Sequence, residues 1–214
     1  MKQNSVFFLL TLFFLIVGGG YMLSHLHGDE ILGINAMHQP AADFYFKYIT
    51  HLGDGLFFGF VLLIFLCFVS YYQAIVGTSI FVVSTLVVQI AKRLIFDDQY
   101  RPVKYFFGRH QLNLVDGVEV HHFNSFPSGH TGSAFALAMF LTLYTRNKMY
   151  SVVYFIIALN VAISRMYLSQ HFLRDVYAGA ILGVITTLIV HFVFENFISI
   201  DAHSKLHHRL WGNK

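Results

Sequence analysis

Charge is scarce in this chain. Only 12% of its 214 residues are Asp, Glu, Lys or Arg, about half the share of an ordinary soluble domain. Cysteine and proline are rarer still, at one and three copies. The one cysteine, Cys67, excludes an intrachain disulfide framework, and its place inside an apolar run marks it as a small packing residue. The formal charge of +3 comes without a basic block interleaved with aromatics, which leaves a nucleic acid nothing to hold. A G-x-S-x-G elbow is missing as well, so Ser128 is not the nucleophile of a serine hydrolase.

What the chain has in place of charge is apolar length, with 56% of its residues hydrophobic. Gln3 to Ser24 carries no formal charge and is long enough to cross a hydrocarbon core of about 30 Å. Its apolar run continues through Gly18-Gly19-Gly20 without an A-x-A cleavage site, which reads as an uncleaved first span. Residues 55–91 are also free of formal charge. As one helix they would reach about 55 Å, so the chain must fold back, near Ser70-Tyr71-Tyr72-Gln73. Continued in this way, the pattern predicts an all-α integral membrane protein, one domain over 1–214. Its six transmembrane helices form a bundle at about 3–24, 55–71, 75–95, 131–145, 149–164 and 176–197, with a polar outer loop over 97–130. Within residues 25–54, the piece Phe44-Tyr45-Phe46-Lys47-Tyr48 predicts an interfacial segment with a snorkelling lysine.

Counting Lys and Arg at the ends of these spans gives an orientation. With the N-terminus inside, the inner positions are Lys2, Arg146, Lys148, Lys205, Arg209 and Lys214 against Glu195 and Asp201, a net +4. The remaining eight bases and nine acids give −1 outside, and the two sides add to the stated +3. The positive-inside rule therefore favours both termini in the cytoplasm, and the expected location is the cytoplasmic (inner) membrane, with the outer loops toward the periplasm or exterior.

On that outer side three polar clusters converge: Lys92-Arg93 with Arg101-Pro102, then Pro127-Ser128-Gly129-His130, then Ser164-Arg165 with His171 and Asp175. Ionisable groups at the margin of a span are costly unless used, which makes them a functional hypothesis. Guanidinium groups fork onto phosphate oxygens, and a lysine adds a point charge. Pro127-Ser128-Gly129 opening a helix offers backbone N–H groups to an anion. His171 and Asp175 are four apart, so on a helical turn the carboxylate fixes the imidazole tautomer and leaves the other nitrogen as nucleophile or base. Phosphoryl transfer needs positioning, charge stabilisation, a nucleophile and an acid for the leaving oxygen; two histidines fit the last two jobs.

These residues resemble the signature of the type 2 phosphatidic acid phosphatase superfamily of membrane lipid phosphatases: K-x6-R-P, then P-S-G-H, then S-R-x5-H-x3-D. The second element is complete at residues 127–130 and the third at Ser164, Arg165, His171 and Asp175. The resemblance implies a lipid mono- or diphosphate phosphatase at the outer membrane–water interface, needing no metal and no cofactor. It implies that His171 attacks phosphorus to form a phosphohistidine while Asp175 polarises it. His130 then protonates the leaving group and activates water, and Lys92, Arg101 and Arg165, with Ser128 and Gly129, bind the phosphate oxygens. Phosphatidylglycerophosphate, phosphatidate, undecaprenyl diphosphate and lipid A phosphates all remain open as substrates. A transport or scaffold protein that binds phospholipid without turnover is the rival reading, and the intact histidines argue against it. Vanadate haloperoxidases share the constellation, but they are soluble.

The first element departs from the pattern. Eight residues separate Lys92 from Arg101, and seven separate Arg93 from it, where the family has six. A helix continued over nine residues would put Lys92 and Arg101 on opposite faces. The helix is therefore expected to end near Phe96-Asp97, with Asp97-Asp98-Gln99-Tyr100 looping Arg101 back, and Lys92 is preferred over Arg93 for the phosphate. Of the remaining candidates, Arg174 is expected to anchor a lipid headgroup and His191 to hydrogen-bond between helices. His110, His121 and His122 lack the spacing of a metal site, and His203, His207 and His208 form a solvated tail.

Overall fold

The computed structural model describes residues 5–198, 208, 210 and 211. Lys2, Lys205, Arg209 and Lys214, on which the inside orientation leans, lie outside them, as do His203 and His207. Among the described residues every regular element is helical: α1 (Ser5–Ser24), α2 (Asp29–Asn35), α3 (Pro40–Ile49), α4 (Gly55–Ile64), α5 (Tyr71–Ile90), α6 (Pro102–Tyr105), α7 (Gly129–Thr145), α8 (Lys148–Tyr167) and α9 (Leu173–Phe197). A 3-10 turn, Thr50–Gly53, follows α3, and π turns follow α4 at Phe65–Val69 and α5 at Ala91–Ile95.

Four of these helices, Ser5–Ser24, Tyr71–Ile95, Lys148–Tyr167 and Leu173–Phe197, are long and apolar enough to cross a membrane. Pro40–Gly53 and Gly55–Val69, bent by 58° at Asp54, make a fifth if taken as one broken span. The remaining apolar helix, α7, has 17 residues and is the centre of the bundle. It packs on α9, α8 and α5 and contributes to both apolar cores. Phe135, Ala138 and Met139 face α1, α8 and α9, while Ala136, Leu137 and Phe140 face α4 and α5. The outer face of α1 shows Leu9, Leu12, Phe13 and Ile16 to the surroundings, as a lipid-facing helix does.

Local chemistry sets the boundaries. Ser70 breaks the long apolar run where expected: its backbone turns extended and its hydroxyl caps α5 by accepting from Gln73 N at 3.2 Å. Asn147 caps α8 in the same way, accepting from the backbone N–H groups of Met149 and Tyr150. Small residues set how close α7 and α9 come. A Cβ on Gly183 would sit 2.3 Å from Gly132 O, and one on Gly179 would sit 2.5 Å from Ser128 O. Only hydrogen fits there, as at small-residue crossings of membrane helices.

Three expectations need correction. Lys47 does not snorkel toward headgroups, because its ammonium donates to Asp116 O at 2.6 Å and ties α3 to the outer loop. His191 makes no side-chain hydrogen bond among the described residues. It instead lines a cavity of about 300 Å³ with Gln73, Tyr144, Arg146 and Glu195. Arg174 is not a free anchor, since its guanidinium donates to Gln99 Oε1 at 2.7 Å and lies 3.4 Å from Asp175.

Candidate active site

The turn between α8 and α9 builds the centre. After Tyr167 the chain reverses through Ser169, a non-glycine residue at φ 53°, and the N–H groups of Gln170 and His171 both donate back to Arg165 O. His171 thus precedes α9 and does not lie on a helix. Asp175 stands in the first turn of α9, where its Oδ2 accepts from Phe172 N at 2.9 Å and from the Ser125 hydroxyl. His171 Nδ1 lies 3.5 Å from the same oxygen, beyond an ordinary hydrogen bond and within reach of its charge. Both side chains are enclosed, His171 at 1% exposure and Asp175 at 0%. Burial, then the charges of Arg101, Lys92 and Arg165, hold the His171 pKa well below its ordinary 6.5, which favours the neutral imidazole that a nucleophile must be, while the expected tautomer-fixing hydrogen bond from Nδ1 to Asp175 is not made.

Cations surround this pair. Arg165 is 7% exposed. Its Nη1 donates to Thr50 Oγ1 at 2.8 Å, while its Nε finds no partner among the described residues. Arg101 is 8% exposed and is held by Phe123 O and by the backbone and side-chain oxygens of Gln170. Helix α5 ends in a π turn, with Phe96 N donating to Ala91 O, and a π turn winds wider than an α turn. This leaves Lys92 half-buried, with Arg101, Asp175 and Arg165 near enough to act on its charge, and leaves Arg93 exposed. The loop then brings Arg101 back, anchored by Arg101 N on His122 O and Ser125 N on Gln99 O. The irregular spacing is thus absorbed by the π turn and the loop together.

The start of α7 joins the same place. Ser128 N donates to Asp175 O at 2.9 Å, a link made possible by the bare face of Gly179. The Ser128 hydroxyl accepts from Thr131 N and Thr131 Oγ1 as the cap of α7. That leaves the backbone N–H groups of Gly129 and His130 as the unspent donors of the first turn. His130 Nε2 lies 2.6 Å from Asp54 Oδ1, and Asp54 Oδ2 in turn takes His51 Nδ1 at 2.6 Å. Gly53 allows this approach, since a Cβ there would lie 2.7 Å from His130 O.

All eight site residues expected from the sequence thus gather at one end of the bundle, around the meeting of α5, α7 and the α8–α9 turn. A family model, the PAP2 superfamily, matches residues 73–199. The chain belongs to that superfamily. It is 27% identical over 177 residues to the lipid A 4'-phosphatase of Porphyromonas gingivalis, covering 78% of this chain and 71% of that protein. The crystal structure of Aquifex aeolicus LpxE superposes with a TM-score of 0.68 at 26% identity, covering 78% of this chain and 96% of that one. A transmembrane PAP2-type phosphatidylglycerolphosphate phosphatase of Bacillus subtilis shares the fold, with a TM-score of 0.58 at 24% identity over 92% of this chain and 98% of that one. The chain is therefore a multi-pass membrane protein and a PAP2-type lipid phosphatase, a phosphoric ester hydrolase.

Sequence reasoning missed Asp54, His51, Thr50, Ser125 and Gln170. The first three sit together in Thr50-His51-Leu52-Gly53-Asp54, immediately ahead of an apolar run. A His and an Asp three apart at that boundary are a legible signal of a polar turn. Ser125 and Gln170 act on other site residues through long-range contacts that no spacing announces.

Proposed function

We propose that this PAP2 phosphatase removes phosphate from a lipid mono- or diphosphate through a phosphohistidine on His171, on the periplasmic or exterior face of the cytoplasmic membrane. His171 Nε2 attacks phosphorus in line with the ester oxygen, while Lys92, Arg101, Arg165 and the N–H groups of Gly129 and His130 hold the equatorial oxygens. The Ser128 hydroxyl lends its proton to the same cradle. The P–O bond to the lipid breaks, and the leaving oxygen takes a proton from His130. Water then attacks the phosphohistidine, giving its proton to His130 as the P–N bond breaks and free phosphate departs. Asp175 offsets the positive charge that His171 gains while bonded to phosphorus, and Asp54 orients His130.

The observation that carries this reading is the enclosed His171 beside Asp175, with Lys92, Arg101 and Arg165 near enough to act on its charge. Nothing in a purely lipid-binding protein calls for a second histidine held by its own carboxylate. The matched relatives make a lipid A phosphate the first substrate to try. The test is rapid quench of the purified enzyme with ³²P-labelled substrate, which is expected to trap label on His171. Label on Ser128, or turnover that persists in His171→Ala, overturns the mechanism.

A further inference from the structure

Beside His130, a cavity of about 210 Å³ opens between the Gly53–Gly55 corner, α5 and α7. Its walls carry Ser84, Thr85 and Gln89 of α5, Ser133 of α7 and Asp54 itself, among Phe81 and Val88. Residues 84, 85, 88 and 89 share one face of α5, and Gln89 stands one turn before Lys92, so the cavity continues the phosphate site. Ser84 spends its hydroxyl on Phe81 O at 3.1 Å. Thr85, Gln89 and Ser133 make no side-chain hydrogen bond to the protein among the described residues, and Thr85 and Gln89 are exposed. Uncompensated polar groups on a helix this apolar are unfavourable in lipid, and such groups mark a path or a site.

The chemistry of the reaction says which part of the substrate comes here. Nucleophile and leaving oxygen lie in line through phosphorus, and the leaving oxygen must be within reach of His130. His130 itself lines this cavity, so a group esterified to phosphate has space beside it to enter. An acyl or polyprenyl chain gains nothing from two hydroxyls, an amide and a carboxylate. The volume is below the roughly 300–1,000 Å³ that holds a drug-sized ligand, leaving room for one small hydroxylated unit.

Resting on the phosphatase reading above, we propose that the cavity lined by Thr85, Gln89, Ser133 and Asp54 is the leaving-group subsite, built for a hydroxyl-bearing alcohol. A sugar ring of a glycosyl phosphate lipid and the glycerol of a phosphatidylglycerophosphate both carry that chemistry. The diacylglycerol of phosphatidate does not. Thr85 and Gln89 act on specificity by hydrogen-bonding hydroxyls near the scissile ester.

Purified full-length wild type, Thr85→Val, Gln89→Leu and Thr85→Ser, in one detergent, are assayed for phosphate release from lipid A, phosphatidylglycerophosphate and phosphatidate. The readout is the ratio of kcat/KM for each hydroxylated substrate to that for phosphatidate. Thr85→Val and Gln89→Leu are expected to lower this ratio about tenfold for at least one of the two, and Thr85→Ser to keep it. A fall with lipid A alone assigns a sugar ring, and a fall with phosphatidylglycerophosphate alone assigns glycerol. Ratios that stay within twofold for both, while all three lipids are hydrolysed, overturn the subsite and leave the phosphatase reading intact. A wild type that releases phosphate from none of these but does so from undecaprenyl diphosphate overturns the subsite alone, and one inactive on all four lipids overturns both.

Discussion

Replacing Asp54 with asparagine keeps the shape of the side chain and removes its charge. The perturbation acts on one contact of consequence, the 2.6 Å approach of Asp54 Oδ1 to His130 Nε2, and on a second of equal length to the exposed His51. A hydrogen bond to a charged group contributes about 1.5–3 kcal/mol. At about 1.36 kcal/mol per tenfold in rate, losing it where His130 gives up and regains a proton predicts a kcat ~10- to 200-fold lower. With phosphatidate, whose leaving alcohol has no free hydroxyl to meet Asp54 in the adjoining cavity, KM should move by less than about threefold, because Asp54 is not among the groups holding phosphate. His51→Ala, which frees only the outer oxygen, should lower kcat by no more than about threefold. The assay is steady-state phosphate release at matched protein amounts, with gel-filtration behaviour in detergent as the check on folding. A second readout separates positioning from simple loss of structure. If His130 also activates the water of the second step, quenched Asp54→Asn reactions should retain more phosphohistidine than wild type. An Asp54→Asn enzyme with wild-type kcat, or a loss confined to KM, would refute the role given to this carboxylate.

Lys92→Ala should reduce kcat/KM at least about a hundredfold and Arg93→Ala no more than a few-fold, since one side chain turns into the site and the other away from it; an inactive Arg93→Ala reverses that assignment. The depressed pKa of His171 means that the neutral nucleophile persists below pH 6.5, so the kcat/KM profile of the free enzyme should show no His171 limb at its ordinary pKa. A limb near 6.5 that persists in the burst phase of His130 variants would contradict this. EDTA should leave activity intact and vanadate should inhibit strongly, because cations of the protein, not a carboxylate-bound metal, are arranged to meet a five-coordinate phosphorus; activity lost to chelation and restored by magnesium would defeat this. Gly183→Val should lower both folded yield and activity, since its side chain would collide with the backbone of Gly132 and force α9 from α7; normal yield with normal turnover would mean that the crossing is not what joins Ser128 to Asp175.

What the sequence made legible follows a physical line. Spans, the reversal at Ser70, the end of α5 near Phe96 and the three polar clusters are local matters: runs without charge, a capping serine, a break in phase. Each is written within a dozen residues, and each could be read there. The count of spans was harder, because α7, the most enclosed helix, has 17 residues and less need of an apolar exterior. The bent pair at Asp54 is one crossing or two depending on the corner. A helix inside a bundle is not held to the length that lipid imposes on its neighbours.

The supporting shell was not legible, for a reason that particular residues make plain. Gln170 holds Arg101 across 69 positions, Thr50 holds Arg165 across 115, and Ser125 reaches Asp175 across 50. None has a partner in its own neighbourhood that would single it out. Asp54 lies between these cases. Its spacing from His51 was visible, but its bond to His130 depends on Gly53 letting the corner press against the first turn of α7. The charged residues of the site had to be explained from sequence alone because a membrane margin makes unpaired charge costly. Their partners, serine, threonine and glutamine, carry no such penalty in isolation and so drew no attention. The same asymmetry applies to Thr85 and Gln89. They pass as tolerable polar residues in an apolar helix until the fold sets them side by side, without side-chain hydrogen bonds among the described residues, along the wall of the proposed leaving-group cavity.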